Sequence, residues 1–131
     1  MKRLATVDDF SQIKKIANQN RDTIGFIMKQ SLIDAIDQQA LFVFEDNNEI
    51  LGFVRFYRRR DGWNTLHEIA IRKNCYGQGI GQVLFDAVPL PIRLKTTFDN
   101  ENAIRFYEKN GMTHVRTEKG RKRELFVFEK K

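Results

Sequence analysis

The sequence predicts a mixed α/β fold in which one sheet is covered by helices. Apolar spacing alternates between strand-like and helix-like periods in the order β-α-α-β-β-β-α-β-α-β-β. A strand-like run at 66–72 passes through a glycine-rich turn at 76–82 into an apolar helical pattern of Val83, Leu84, Ala87 and Val88. The length of 131 residues suits one domain with a real core, so residues 1–131 are read as a single domain.

Residues 3–7 read as a short opening strand. Asp8 or Asp9 can cap the next helix, because a short acceptor side chain suits the orphan N–H groups of a helix start. Phe10, Ile13, Ile16 and Ala17 then recur at helical spacing until Asn20-Arg21-Asp22 breaks the pattern. A second helix is expected over 23–37, with Ile24, Ile27, Met28, Leu32, Ala35 and Ile36 on one face and Gly25 weakening its first turn. Residues 40–45 and 50–57 read as an antiparallel hairpin around Asp46-Asn47-Asn48, since Asn and Asp tolerate left-handed backbone. Arg58-Arg59-Arg60 leads into Asp61-Gly62, a hairpin signal, and the next strand begins near Asn64.

After the glycine turn, a helix over about 80–88 is stopped by Pro89, and 91–97 reads as a strand. Asp99 or Asn100 caps a helix that runs to Asn110, with Gly111 as its stop. Residues 113–118 and 124–129 form a closing hairpin around Lys119-Gly120.

A hydrophobic content of 41% with 31% charged residues describes a soluble globular chain. No apolar run approaches the roughly 20 residues that cross a bilayer, and no signal-peptide layout opens the chain. A membrane partner is therefore not expected. The single cysteine, Cys75, leaves no internal disulfide and points to a reducing, cytoplasmic setting. Two histidines and one cysteine, scattered, make no metal-ligand set. The net charge of +6 favours anionic partners: nucleotide phosphates, nucleic acid or acidic protein surfaces. A monomer or a homodimer is compatible with all of this.

Strand, glycine turn and helix together make a phosphate seat. Glycine lets backbone approach an anion closely, and the unpaired amides of the first helical turn point at it. An ordinary tight turn would share this spacing, so the turn alone is a weak signal. A second stretch changes its weight. Asn100, Ala103, Tyr107 and Gly111 resemble the second signature of the Gcn5-related N-acetyltransferases (GNAT), with Met112 in place of the usual Phe. Gly79 and Gly81 match the first signature, in which Tyr76 stands where Arg or Gln is expected. The opening Arg3, Ala5, Thr6 and Asp9 also resembles the start of that family. Two signatures in the right order are far more specific than either alone.

The resemblance implies a GNAT-like splayed mixed sheet flanked by helices, with acetyl-CoA as cosubstrate between the strands at 64–72 and 91–97. Its pyrophosphate would sit on the backbone of Tyr76, Gly77, Gln78, Gly79, Ile80, Gly81 and Gln82, with Asn100 and Ala103 completing the cofactor site. Arg72, Lys73 and Arg105 could help neutralise it, although surface charge explains each of them as well. The implied activity is direct transfer of an acetyl group to a primary amine of an unidentified acceptor. Such an amine must lose a proton, the developing oxyanion needs donors, and the leaving thiolate needs a proton or hydrogen bond. The edge amides of Ile69 and Ile71 could serve the oxyanion.

Tyr107 serves the thiolate by resemblance, because a phenol can donate. Glu68 is the candidate base, directly or through water; a surface carboxylate is an equal reading. His67 lies on the opposite face of the strand and is read as structural, and Cys75 as a loop residue. Arg58-Arg59-Arg60 and Arg121-Lys122-Arg123 fall at hairpin turns, with Trp63 a plausible exposed stacking group. These features support an alternative, a small basic nucleic-acid-binding module. A hybrid would be an acetyltransferase acting on nucleic acid or on a nucleic-acid-bound protein.

Overall fold

Alternation of apolar residues becomes seven strands and five helices in a computed structural model that describes all 131 residues. The strands neighbour one another in the order β1-β2-β3-β4-β5-β7-β6, in a mostly antiparallel sheet flanked by helices. The chain forms two compact units, residues 1–57 with 66–88 and residues 58–65 with 89–131.

The first unit opens with β1 (Lys2–Leu4), a 3₁₀ turn at Val7–Asp9 and α1 (Phe10–Gln19). The helix expected over 23–37 is instead two: α2 (Arg21–Ile24) and α3 (Lys29–Asp37). Gly25 is the reason. It sits at φ +76°, a conformation that ends α2 and that side chains resist, and Met28 is extended before α3. β2 (Leu41–Asp46) and β3 (Glu49–Arg58) pair antiparallel around Asn47 and Asn48, both at positive φ, as their turn chemistry predicts. β4 (Asn64–Ile71) follows, mostly in this unit, and α4 (Ile80–Ala87) comes after the glycine turn. The core joins Ile13 and Ile16 of α1 and Leu32 of α3 to Leu41, Val43, Ile50 and Phe53 of the sheet. β3 passes β4 closely at Gly52, where a Cβ would stand 2.9 Å from Ile71 Cδ1 and 3.0 Å from the Ala70 carbonyl.

In the second unit, the first residues of β4 pair in parallel with β5 (Ile92–Thr97), Asn64 opposite Ile92 and Thr65 opposite Arg93. The buried Asn64 amide also donates to the Pro89 carbonyl at 2.9 Å. The closing hairpin of β6 (Thr113–Lys119) and β7 (Glu124–Lys130) forms as expected, and its second strand inserts beside β5. β6 is therefore left at the edge of the order, with a register shift between His114 and Arg116. α5 (Glu101–Lys109) starts after Asn100 and ends before Gly111. Ile92, Leu94, Met112, Val127 and Phe128 are the buried apolar residues of this unit. No helix of the chain is long and apolar enough to cross a membrane.

Candidate functional site

The glycine turn of the first unit is open, exposed backbone. Gly79 caps α4 in the left-handed conformation, φ +79°, which lets the chain turn abruptly into the helix. The first bond back to the cap is Val83 N–H to the Gly79 carbonyl at 3.3 Å, so the amides of Ile80, Gly81 and Gln82 precede the helix's own ladder. No side chain caps them, and no acid lies in the first turn. Nothing stands within 4 Å of where a Cβ would project from Gly77 or Gly79, so the space over the turn is clear. An uncapped positive helix end, free of carboxylates and approachable by backbone, fits the pyrophosphate of acetyl-CoA. Gln78 is exposed, while Gln82 spends its amide on Asp86 at 3.0 Å rather than on the seat.

Tyr76 does not replace the expected Arg or Gln as a cationic or amide donor over the turn. Its hydroxyl donates to Asn20 Oδ1 at 2.5 Å. Asn20 Nδ2 donates in turn to the carbonyls of Ile16 and Ile71, both at 2.9 Å. The sequence shows Asn20 only as the break after α1. A partner 56 residues away leaves no local trace, so this group was invisible there.

Glu68 is held by Arg55 on β3 through a fork, Nε to Oε1 at 2.7 Å and Nη2 to Oε2 at 2.8 Å. The two side chains are only 17% and 11% exposed. The fork occupies both carboxylate oxygens of Glu68 with charge-assisted hydrogen bonds. His67 keeps an exposed edge, but the protein packed around it and then the Arg55 charge depress its pKa below the ordinary value. Arg72 N–H bonds to the Leu51 carbonyl of β3 at 2.8 Å. Strand alternation turns the Ile71 and Ile69 amides to the other edge of β4, where the Ile71 carbonyl meets Asn20. The Arg72 side chain pairs with Glu49 at 3.3 Å, and Lys73 N–H reaches Gln19 Oε1 at 3.3 Å. Cys75 is buried, with its thiol 3.4 Å from Asn74 Oδ1.

In the second unit, Asn100 precedes α5 and its carbonyl accepts from Ile104 N–H at 3.0 Å; its side chain does not cap the helix. Ala103 and Tyr107 lie half-buried on α5. The Tyr107 ring meets Phe106 edge-on, with centroids 5.6 Å apart, and lies 6.4 Å from Phe128. Met112 is buried at 4% exposure, doing the packing of the aromatic usually found there. Arg105 bonds to Asn102 at 2.7 Å. Trp63 is not an open stacking group, because the Arg93 guanidinium covers its ring at 4.4 Å. Among the turn arginines, Arg59 pairs with Asp61 at 3.4 Å and Arg123 with Asp99, which leaves each triplet partly neutralised.

The structure thus gathers residues 76–82 into the turn and first turn of α4, and places Ala103 and Tyr107 on α5 with Asn100 just before it; Glu68 belongs to the first unit and Tyr107 to the second. A family model described as an acetyltransferase (GNAT) domain matches residues 37–113, more than half of the chain. The chain is similar in structure to a GNAT-family acetyltransferase from Bacillus cereus ATCC 10987, with a TM-score of 0.83 at 20% identity, covering 100% of this chain and 97% of that one. It is similar to Arabidopsis thaliana Naa50, solved with the bisubstrate analogue CoA-Ac-MVNAL, with a TM-score of 0.79 at 20% identity over 100% and 97% of the two chains. It also resembles the ribosomal-protein-S18-alanine N-acetyltransferase of Escherichia coli, with a TM-score of 0.83 at 15% identity over 98% and 91%. No curated protein sequence matches it.

Proposed function

Because the chain belongs to the acetyltransferase (GNAT) family, we propose that it transfers the acetyl group of acetyl-CoA directly to a free α-amine at the N-terminus of a polypeptide, with residues 1–131 acting as one catalytic domain. Acetyl-CoA supplies the activated acyl group. The observation that carries the reading is the uncapped, acid-free start of α4 beneath Gly77 and Gly79, which suits a pyrophosphate. Family membership makes the chain an acyltransferase, which favours the cofactor reading of the glycine turn over a small nucleic-acid-binding module.

The amides of residues 76–82 bind the cofactor's phosphates, and the Ile69 and Ile71 edge of β4 offers donors to the oxyanion. Tyr107 donates to the departing thiolate, with Asn100 and Ala103 lining the cofactor. The class of acceptor is supported from two sides. Naa50 was solved with a CoA–peptide analogue, and the Escherichia coli protein is named for an alanine of a ribosomal protein. The second support is chemical. An α-amine has an ordinary pKa near 7.7–8.0, against about 10.4 for lysine, so it needs far less help to lose its proton. That suits a site whose candidate base, Glu68, is already engaged by Arg55. Glu68 then receives the amine's proton through a water. The partly neutralised arginine turns are a candidate docking surface for an acidic or nucleic-acid-bound acceptor.

Calorimetric titration with acetyl-CoA tests the cofactor half. Wild type should bind, and Gly81→Asp, which sets a carboxylate in the anion's seat, should weaken binding by about 100-fold or more. Turnover of peptides with a free N-terminus, compared with N-blocked peptides carrying internal lysine, tests the acceptor half. Equal rates on both would overturn the α-amine reading.

A further inference from the structure

We propose that Asn20 is a positioning residue for the cofactor turn, acting through the Tyr76 hydroxyl; this rests on the reading that residues 76–82 hold the pyrophosphate. Asn20 stands at the junction of α1 and α2 and is 6% exposed. Every polar group of its side chain is used. Nδ2 donates to the Ile16 carbonyl, at the end of α1, and to the Ile71 carbonyl, at the end of β4. Oδ1 accepts the Tyr76 hydroxyl, one residue before the first glycine of the turn. The neighbouring Gln19 Oε1 accepts Lys73 N–H. Three attachments therefore run from one helix end to the segment 71–76 that feeds the turn.

The turn needs such an anchor. Gly77, Gly79 and Gly81 give the backbone its greatest freedom, and freedom lost on binding is affinity lost. Tyr76 cannot supply the anchor by burial, since it is 57% exposed. Its hydroxyl is fixed by the bond to a buried amide that is itself locked at two carbonyls. A preset turn presents the amides of Ile80, Gly81 and Gln82 without an ordering cost. This lowers the KM for acetyl-CoA and leaves the chemical step alone.

The departure of Tyr76 from the expected Arg or Gln is then a change of strategy. The position holds the turn from below by a bond to the protein, where the family pattern has a residue able to reach the phosphate.

Steady-state kinetics of Tyr76→Phe tests this, with amide exchange measured over residues 77–82. One hydrogen bond of about 0.5–1.5 kcal/mol corresponds to about a 2- to 13-fold rise in the KM for acetyl-CoA. The proposal expects that rise with an unchanged kcat at saturation, and faster exchange in the turn. Asn20→Ala should raise KM further, and in the Tyr76→Phe background it should cost less than it does alone, because part of its effect passes through the same bond. An unchanged KM with unchanged exchange, a fall in kcat at constant KM, or fully independent effects would each overturn the proposal. If Asn20→Ala does not fold, Tyr76→Phe decides alone, since it removes one atom from a largely exposed ring. Gly81→Asp separates the two readings. Normal acetyl-CoA binding there would sink the turn assignment itself, whereas lost binding beside a wild-type Tyr76→Phe would sink only the positioning role.

Discussion

In the first unit Ile13, Ile16, Leu32, Leu41, Val43, Ile50 and Phe53 are wholly withdrawn from water, whereas α5 of the second unit buries none of its residues. Both regions carry strong helical periodicity, so the sequence gives no warning of this difference. Ala103, Ile104, Phe106 and Tyr107 present an apolar face on α5 that remains half-exposed. β6 is open along nearly its whole length. The comparison separates two uses of an amphipathic helix. α1 and α3 hold a core together, while the apolar face of α5 stays half-exposed. The family signature falls on the helix of the second kind.

The sharpest way to test that division is Tyr107→Phe. If α5 is committed to chemistry, the variant should lose kcat by about 10- to 1000-fold while its melting temperature and acetyl-CoA affinity stay near wild type. The ring contacts with Phe106 and Phe128 survive, and only the donor goes. A normal kcat with a lowered melting temperature would put α5 in the same class as α1. Core truncation is the complementary test. Leu32→Ala should cost about 2–5 kcal/mol by urea denaturation, and Ile104→Ala about 1 kcal/mol or less, because its side chain already meets water. Equal costs would erase the contrast between the units.

Periodicity and turn chemistry carried most of the fold into view. The hairpin at Asn47-Asn48, the strand from Asn64, the helix after Gly79 and the cap region at Asn100 all form where local rules place them. Gly25 was visible as a weakness, but its left-handed φ, which splits one expected helix into α2 and α3, depends on how Ile27 and the chain beyond it settle on the core. What stayed hidden was pairing over distance. Arg55 with Glu68, Arg93 over Trp63 and Tyr76 with Asn20 join residues 13 or more apart, and single-sequence patterns do not encode such partners. The glycine turn before α4 was legible because its chemistry is local. Its link to Asn20 was not, because Asn20 reaches Tyr76 only through the fold.

The smallest expected effect concerns charge, and it again sets the two units apart. Asp9 in the first unit is buried and takes a fork from Arg3 at 2.8 and 2.9 Å, and it accepts Thr6 N–H at 2.8 Å. The Arg3 hydrogen bonds, against the cost of burial, hold its carboxyl below the usual carboxylate range. Glu118 in the second unit is also lowered, by Lys95 and then Arg116, but it is only half-buried and both partners are exposed. In both cases the unfolded chain takes up a proton near the ordinary pKa of about 4, while the folded chain refuses it until a lower pH. The stability each pair provides is therefore complete above that ordinary value and is lost as pH falls through the folded pKa. Screening removes most of the benefit at an exposed pair and spares a buried one. Asp9→Asn should cost about 1–2 kcal/mol at pH 7, because hydrogen bonds to a charged group are the stronger kind; Asn loses the charge and the Arg3 Nη2 bond, and keeps those from Thr6 N–H and Arg3 Nη1 only as neutral ones. It should also flatten the fall in melting temperature between about pH 5 and pH 2. Glu118→Gln should change neither the neutral stability nor the acid slope measurably in 0.15 M salt. An acid slope that followed Glu118 instead would mean that the second unit, open as it is, holds its charges as firmly as the first.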